Sequence, residues 1–190
     1  KIQKFSQRRK ISWKKKLLIG FNKILLQWSA TDYFACSEKA GNWMFGNDRP
    51  FTVIHNAIDT TPFIYNEEIR KKKREELGIS DEFVIGHVGR FSYQKNHGYL
   101  IDIFHAFHKK HPNSVLILVG GSVEDGSYLT SAKKKVSDLG LEASVKFLGM
   151  RNDVPKLMQA MDSFLFPSLF EGLPLVGIEA QAAGLPCFFS

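Results

Sequence analysis

From Asp81 onward the chain alternates apolar runs with amphipathic stretches so regularly that few architectures can accommodate it. The runs "FVIGHVG", "SVLILVGG", "SVKFLG", "SFLFPS" and "PCFFS" are too short for helices and rich in β-branched and aromatic residues. Helical spacing fills the intervals, over about 96–110, 128–139, 154–161 and 174–183. Strands that are apolar on both faces and alternate with helices predict an α/β fold, a Rossmann-like parallel sheet with helices on both faces. Such sheets bind ligands beyond the carboxyl ends of their strands, so the residues at those ends carry the functional reading.

The first part of the chain is organised differently. Nine of the 26 Lys and Arg residues and none of the 19 acids precede Asp32, although the net charge of the 190 residues is only +7. Between Trp13 and Trp28 the apolar residues Trp13, Leu17, Phe21, Ile24, Leu25 and Trp28 recur at helical spacing, interleaved with Lys14, Lys15, Lys16 and Lys23. A basic amphipathic helix suits an anionic membrane surface through residues 1–28, or simply a solvated basic face. No basic platform with interleaved aromatic residues predicts a nucleic-acid partner. Next come a short strand in "TDYFACS", a helix over about 38–45, a buried strand over Phe51 to Ile54, and the charged helix "EEIRKKKREELGI" closed by Gly78. The run from Arg70 to Arg74 reads as a solvated face. The domain boundary falls before this helix, giving 1–65 as the end of a first domain with its linker and 66–190 as a second, ligand-binding domain.

No apolar run is long enough for a membrane span and no signal-peptide pattern occurs, which leads us to expect a cytoplasmic protein, peripheral at the membrane if the basic helix docks. Cys36 and Cys187 have no partner spacing and are expected as buried free thiols. A start at Lys1 and an end directly after a strand suggest a fragment truncated at both ends.

Three strand ends carry candidate chemistry. In "HVGRFSYQKNHG", Gly89 frees the backbone, Arg90 offers a planar fork for phosphate oxygens and Lys95 adds a second positive charge, a pair that suits a diphosphate. "GGSVEDG" matches neither the dinucleotide fingerprint nor the P-loop, which weighs against a nicotinamide dehydrogenase and a P-loop ATPase. "FLGMRNDV" supplies backbone groups at Met150 and Arg151 and a helix cap at Asp153. In "FEGLPLVGIEA", Glu171 precedes a Gly172-Leu173-Pro174 turn, with Pro174 at the first helical position. The amides of Gly172 to Val176, Leu175 among them, then face the crevice and suit an anion or sugar hydroxyls. Glu179 is a lone acid in a closely packed helix, able to accept two hydroxyls of a ribose or hexose or to pair with a local Lys or backbone group.

These segments resemble the retaining glycosyltransferases of family 4, which have the two-domain GT-B fold. "FEGLPLVGIEA" is similar to their E-x7-E signature, "GRFSYQKN" to their Gly-Arg…Lys donor loop, "VIHNAID" to their VIPNGID segment and "QAAGLP" to the AxAxGxP continuation. The resemblance runs from about Thr31 to the end, with Ala57 in place of the usual glycine. It implies that a nucleotide sugar of UDP or GDP type binds the second domain, with Arg90 and Lys95 on the diphosphate, Glu171 and the amides after it on the sugar, Glu179 on the ribose, and the backbone near Met150 and Arg151 on the base. It further implies transfer of a hexose with retention to a glycan or lipid-linked acceptor, in polysaccharide biosynthesis, with no metal and no cofactor besides the donor itself. Arg90, Lys95 and Glu171 would then be the catalytic residues. A sugar-nucleotide epimerase of the same architecture, or a non-catalytic binding or membrane-docked module, stands as the alternative.

Overall fold

The computed structural model describes residues 12–122 and 126–190, and not the side chains of Lys15, Lys16, Gln27 and Trp28. The basic residues before Ser12 and the Val123–Asp125 part of the glycine-rich loop therefore lie outside the described residues. Two compact units divide the chain, residues 1–56 and 57–190.

In the first unit, α1 (Trp13–Ser29) is followed by β1 (Phe34–Ala35), α2 (Glu38–Phe45) and β2 (Thr52–Val53), the two short strands pairing in parallel. Ser37 caps α2 by accepting the Ala40 amide, 3.2 Å away. Lys23 does not point into solvent: its ammonium donates to the Trp43 carbonyl and lies 4.6 Å from the Trp43 ring centroid. β2 is shorter and less buried than expected, with Thr52 exposed and Ile54 57% exposed.

The second unit opens with a single 3-10 turn, Thr61–Phe63, then α3 (Glu67–Glu76), capped by Asn66 on the Ile69 amide. β3 (Phe83–Val88), α4 (His97–His108), β4 (Ser114–Val119), α5 (Ser127–Asp138), β5 (Val145–Gly149), α6 (Val154–Gln159), β6 (Ser163–Phe166), α7 (Leu175–Ala182) and β7 (Cys187–Phe189) complete it. The five strands form one parallel sheet in the order β5-β4-β3-β6-β7. Because side chains alternate along a strand, the sheet has two cores. Val84, Val115, Ile117, Val119, Phe164 and Phe166 pack under α6 and α7, while Ile85, Leu116, Leu118 and Leu165 pack under α4 and α5. On the α4 side an apolar groove of about 550 Å³ remains open, lined by Phe83, Ile103, Phe107, Leu165 and Phe188. Cys36 and Cys187 are free thiols, half-buried rather than fully buried.

The expectation of a solvated face over Arg70 to Arg74 holds for Lys71 and Lys72, which are exposed, and is overturned at Arg70, Lys73 and Arg74. Lys73 and Arg74 are each only 8% exposed. Arg70 and Arg74 reach the Asp162 carboxylate at 2.6 and 3.4 Å, and Arg74 also donates to the carbonyls of Ser80, Glu82 and Ala160. Asp162 accepts the Val84 amide as well, at 2.7 Å, which ties α3 to the starts of β3 and β6. Long cationic stems can cross an apolar surface and place their heads on acids of a neighbouring element, and sequence spacing carries no sign of such acids. Gln159 secures the entry to α3, accepting the Asn66 amide at 2.8 Å and donating to the Ile64 carbonyl at 3.0 Å.

Candidate functional site

β3 pairs with β4 on one side and β6 on the other, so the chain direction of the crossovers switches between β3 and β6. A crevice forms at such a switch point, and the loops leaving β3 and β6 face each other across it. Hydrogen bonds join those loops. The Gln94 carbonyl accepts the Leu169 amide at 2.8 Å, the Gln94 side-chain amide donates to the Phe170 carbonyl at 2.8 Å, and the Lys95 ammonium donates to the Glu171 carboxylate at 2.8 Å. Lys95 also lies 4.3 Å from the Phe166 ring centroid. Its side chain and that of Glu171 are 15% and 20% exposed, so this ion pair is shielded more than a surface pair. Asn96 follows in the left-handed region at φ 53°, a conformation that asparagine tolerates, and α4 starts behind it.

The loop after β3 stays close to the sheet because ladder bonds continue past the strand. The Gly89 amide donates to the Val119 carbonyl at 2.8 Å, and the Phe91 amide to the Gly121 carbonyl at 2.9 Å. Gly120 is obligatory at this crossing. It has φ 148°, and a Cβ there would sit 2.1 Å from the Gly89 carbonyl oxygen. A Cβ on Gly89 would meet His87 Nε2 at 3.0 Å and the Lys95 stem at 3.3 Å. His87, Gln94 and Gly120 are thus parts of the site that sequence reasoning missed; only the glycine-rich composition after β4 hinted at one of them.

The remaining candidates occupy distinct positions. Arg90 is exposed and makes no hydrogen bond among the described residues. Met150 is 85% exposed at the end of β5, next to Gly121. The Arg151 guanidinium turns away to bind Asp153 at 2.7 and 2.8 Å and Glu76 at 3.0 Å. Those partners hold Arg151 above the usual arginine range, the Asp153 bonds first and Glu76 next. Asp153 occupies the cap position of α6, yet its side chain caps no amide. The carboxylate is taken instead by Arg151 and Lys73, and the Arg151 bonds, then those of Lys73, hold it well below the ordinary carboxylate range against the cost of its burial.

Pro174 stands one position before the first turn of α7 rather than in it, with φ −73°, and its carbonyl accepts the Gly177 amide at 3.0 Å. The amides of Leu175 and Val176 begin the helix behind Gly172 and Leu173. Glu179 lies one turn further in, partly buried, and its carboxylate has no hydrogen-bond or ion-pair partner among the described residues. Burial raises its pKa above the ordinary glutamate value. The pairing with a local lysine or backbone group that the sequence allowed is therefore not present. Chemically, the loop after β3 carries an unengaged guanidinium and a lysine held by the carboxylate of the loop after β6, and α7 behind that loop offers its N-terminus and a second carboxylate without a counterion among the described residues. These are groups that suit a phosphate-bearing ligand with several hydroxyls.

A parallel sheet with helices on both faces and polar groups at the topological switch point is a Rossmann-like architecture. The chain belongs to the family described as glycosyl transferases group 1, whose model matches residues 69–190. It is 35% identical over 185 residues to EpsF of Bacillus subtilis (strain 168), covering 94% of this chain and 47% of that one. It is 36% identical over 143 residues to the UDP-Gal:alpha-D-GlcNAc-diphosphoundecaprenol alpha-1,3-galactosyltransferase of Escherichia coli, covering 73% of this chain and 36% of the relative. The Anabaena protein Alr3699/HepE, solved in complex with UDP and glucose, superimposes with a TM-score of 0.82 at 30% identity, over 90% of this chain and 47% of that one. The structural neighbours of this chain are GT-B glycosyltransferases, and the chain spans about half the length or less of the three relatives just named.

Proposed function

We propose that this chain is the donor-binding part of a retaining hexosyltransferase, which moves a sugar from a nucleoside diphosphate sugar to a glycan or lipid-linked acceptor in polysaccharide or glycolipid synthesis. The observation that carries the reading is the joining of the loops after β3 and β6 through Gln94 and Lys95, which brings Lys95, on the loop that also carries Arg90, to Glu171. The E. coli relative is named for a UDP-sugar donor and a lipid diphosphate acceptor, and HepE was solved with UDP and glucose, which supports a UDP-type donor here.

In this reading Arg90 and Lys95 bind the diphosphate, the first amides of α7 and Glu171 the sugar, Glu179 the ribose hydroxyls, and the backbone at Met150 and Arg151 the base. As the anomeric carbon–oxygen bond breaks, charge accumulates on the leaving phosphate. Arg90 and Lys95 interact more strongly with that charge than with the intact donor, which lowers the barrier. Glu171 positions the sugar. No metal and no further cofactor enters the scheme.

Calorimetric titration with UDP, GDP and ADP and their hexose conjugates tests it. Saturable binding of UDP, weakened by Glu179→Ala, is the expected result; a folded chain that binds none of the three removes the donor site. In the complete enzyme, Arg90→Ala and Lys95→Ala should each lower kcat more than they raise KM, and an unchanged kcat in both would end the catalytic assignment.

Among the described residues no helix is long and apolar enough to cross a membrane. On unit one taken by itself, α1 leaves Trp13, Leu17 and Phe21 67%, 62% and 59% exposed. With the lysines around them, these residues suit peripheral docking on an anionic inner membrane surface through residues 1–28. Co-sedimentation with anionic vesicles that persists after removal of residues 1–28 would exclude this role.

A further inference from the structure

His87 lies beneath the loop that carries Lys95. It is fully buried on β3, its ring parallel to those of Phe164 and Phe166 at 6.2 and 5.6 Å and edge-on to His97 at 4.9 Å. Nδ1 is 2.8 Å from the Leu165 carbonyl oxygen. A carbonyl can only accept, so Nδ1 carries the proton, and a neutral ring then presents Nε2 as a bare lone pair. That nitrogen has no partner among the described residues. It points to the same spot as the Lys95 stem: the Cβ that Gly89 lacks would touch Nε2 at 3.0 Å and Lys95 Cδ and Cε at 3.3 Å each.

An ammonium has three protons to donate, and Lys95 places one on Glu171. A sugar hydroxyl that engages Glu171 would weaken that bond. Building on the donor-site reading above, we propose that His87 is a positioning residue whose Nε2 is the second acceptor for Lys95. It would take the ammonium when Glu171 turns to the sugar and so keep the lysine directed at the diphosphate. The glycine at 89 leaves the approach between the two side chains open. Burial, above all, keeps His87 neutral, bringing its pKa down to about 4; the Leu165 bond opposes that shift, nearby Lys95 adds to it and Glu171 opposes it. The ring is thus an acceptor at neutral pH. His97, its other titratable neighbour, is held neutral near 3 by burial first and then by His87 and Lys95, so it adds no competing charge.

The test reads the histidine nitrogens directly by NMR of this chain labelled with ¹⁵N-histidine. Glu171→Ala, with no ligand present, should move the His87 Nε2 resonance upfield as Lys95 begins to donate to it, and adding Lys95→Met should abolish the move. Saturating UDP-glucose should produce the same displacement in the wild-type chain, whereas UDP alone should not. His87→Phe keeps the aromatic stack and should weaken UDP-glucose binding about tenfold, with no further loss in a Lys95→Met background. A purely structural role gives additive losses instead. An Nε2 resonance unmoved in Glu171→Ala overturns the assignment even if nucleotides bind, and it needs no His87 variant to fold. If the displacement occurs but the wild-type chain binds neither UDP nor UDP-glucose, the donor-site reading falls and His87 stands as the second acceptor of Lys95.

Discussion

Asp153 and Glu179 both follow a strand of the same sheet, and they are treated in opposite ways. Asp153 is gripped by Arg151 and Lys73, and those bonds hold its pKa well below the ordinary value. Glu179 has no cation beside it among the described residues, and burial raises its pKa. A carboxylate whose counterions belong to the fold contributes to stability and has little left for a ligand. One that is desolvated without them is less stable in the empty protein and strengthens any partner that arrives. The contrast separates a charge cluster whose members satisfy one another, on α3, α6 and the start of β6, from groups at the crevice that the fold leaves unpaired or only partly engaged.

The largest effect expected from breaking this division lies in the structural cluster. Asp162→Ala leaves Arg70 and Arg74 without their shared anion and the Val84 amide without its acceptor, at the junction of α3, β3 and β6. Removing one partner from a shielded charge group costs on the order of 3 kcal/mol, measurable by urea unfolding. A loss below about 1 kcal/mol would place this cluster with ordinary surface charges.

The pH dependence of the two acids sharpens the comparison because the signs are opposite. With its folded-state pKa depressed, Asp153 contributes stability above its unfolded value, and that contribution is lost as pH falls below about 4. Asp153→Asn should therefore cost about 1 kcal/mol at neutral pH and flatten the acid limb of the stability curve. For Glu179 the folded-state pKa is raised, so the folded state holds its proton more tightly than the unfolded chain. Stability is then complete below the unfolded value near 4.3 and declines as pH rises through the folded one. Glu179→Gln should raise the thermal midpoint slightly at pH 7, leave it unchanged at pH 3, and weaken UDP binding. A destabilised Glu179→Gln at pH 7 would mean that the carboxylate has a structural partner.

The sheet was legible because five apolar runs separated by helical spacing admit few other arrangements, and every helix from α3 to α7 falls within about two residues of its expected bounds. Charge was read less well. Spacing shows which residues share a helix face but not which acids another element brings to it, so Arg70 to Arg74 looked solvated while Asp162 waited some 90 residues away. The same limit hides the Lys95–Glu171 bond between residues 76 positions apart, although each residue by itself stands out in its loop. Gly120 could be recognised only as part of a glycine-rich loop, since its necessity comes from its positive φ and from the Gly89 carbonyl in the loop after β3. His87 looked like one more residue of an apolar strand.

Arg90 gives the smallest stability effect and the most direct check on the division. Its side chain is exposed and makes no hydrogen bond among the described residues, so it is fastened even less than Glu179. Arg90→Ala should change the unfolding free energy by less than about 0.5 kcal/mol, because no packing and no counterion are lost. Binding should respond quite differently. A guanidinium that forms charge-assisted bonds to a diphosphate contributes enough that its loss should weaken UDP about tenfold, and weaken UMP less, since UMP lacks the second phosphate. Arg90→Lys should restore only part of that affinity, as a point charge replaces a planar fork. Equal losses for UDP and UMP would move Arg90 from the diphosphate to another part of the ligand, and an unchanged affinity for both would leave Lys95 and the first turn of α7 to hold the phosphates without it.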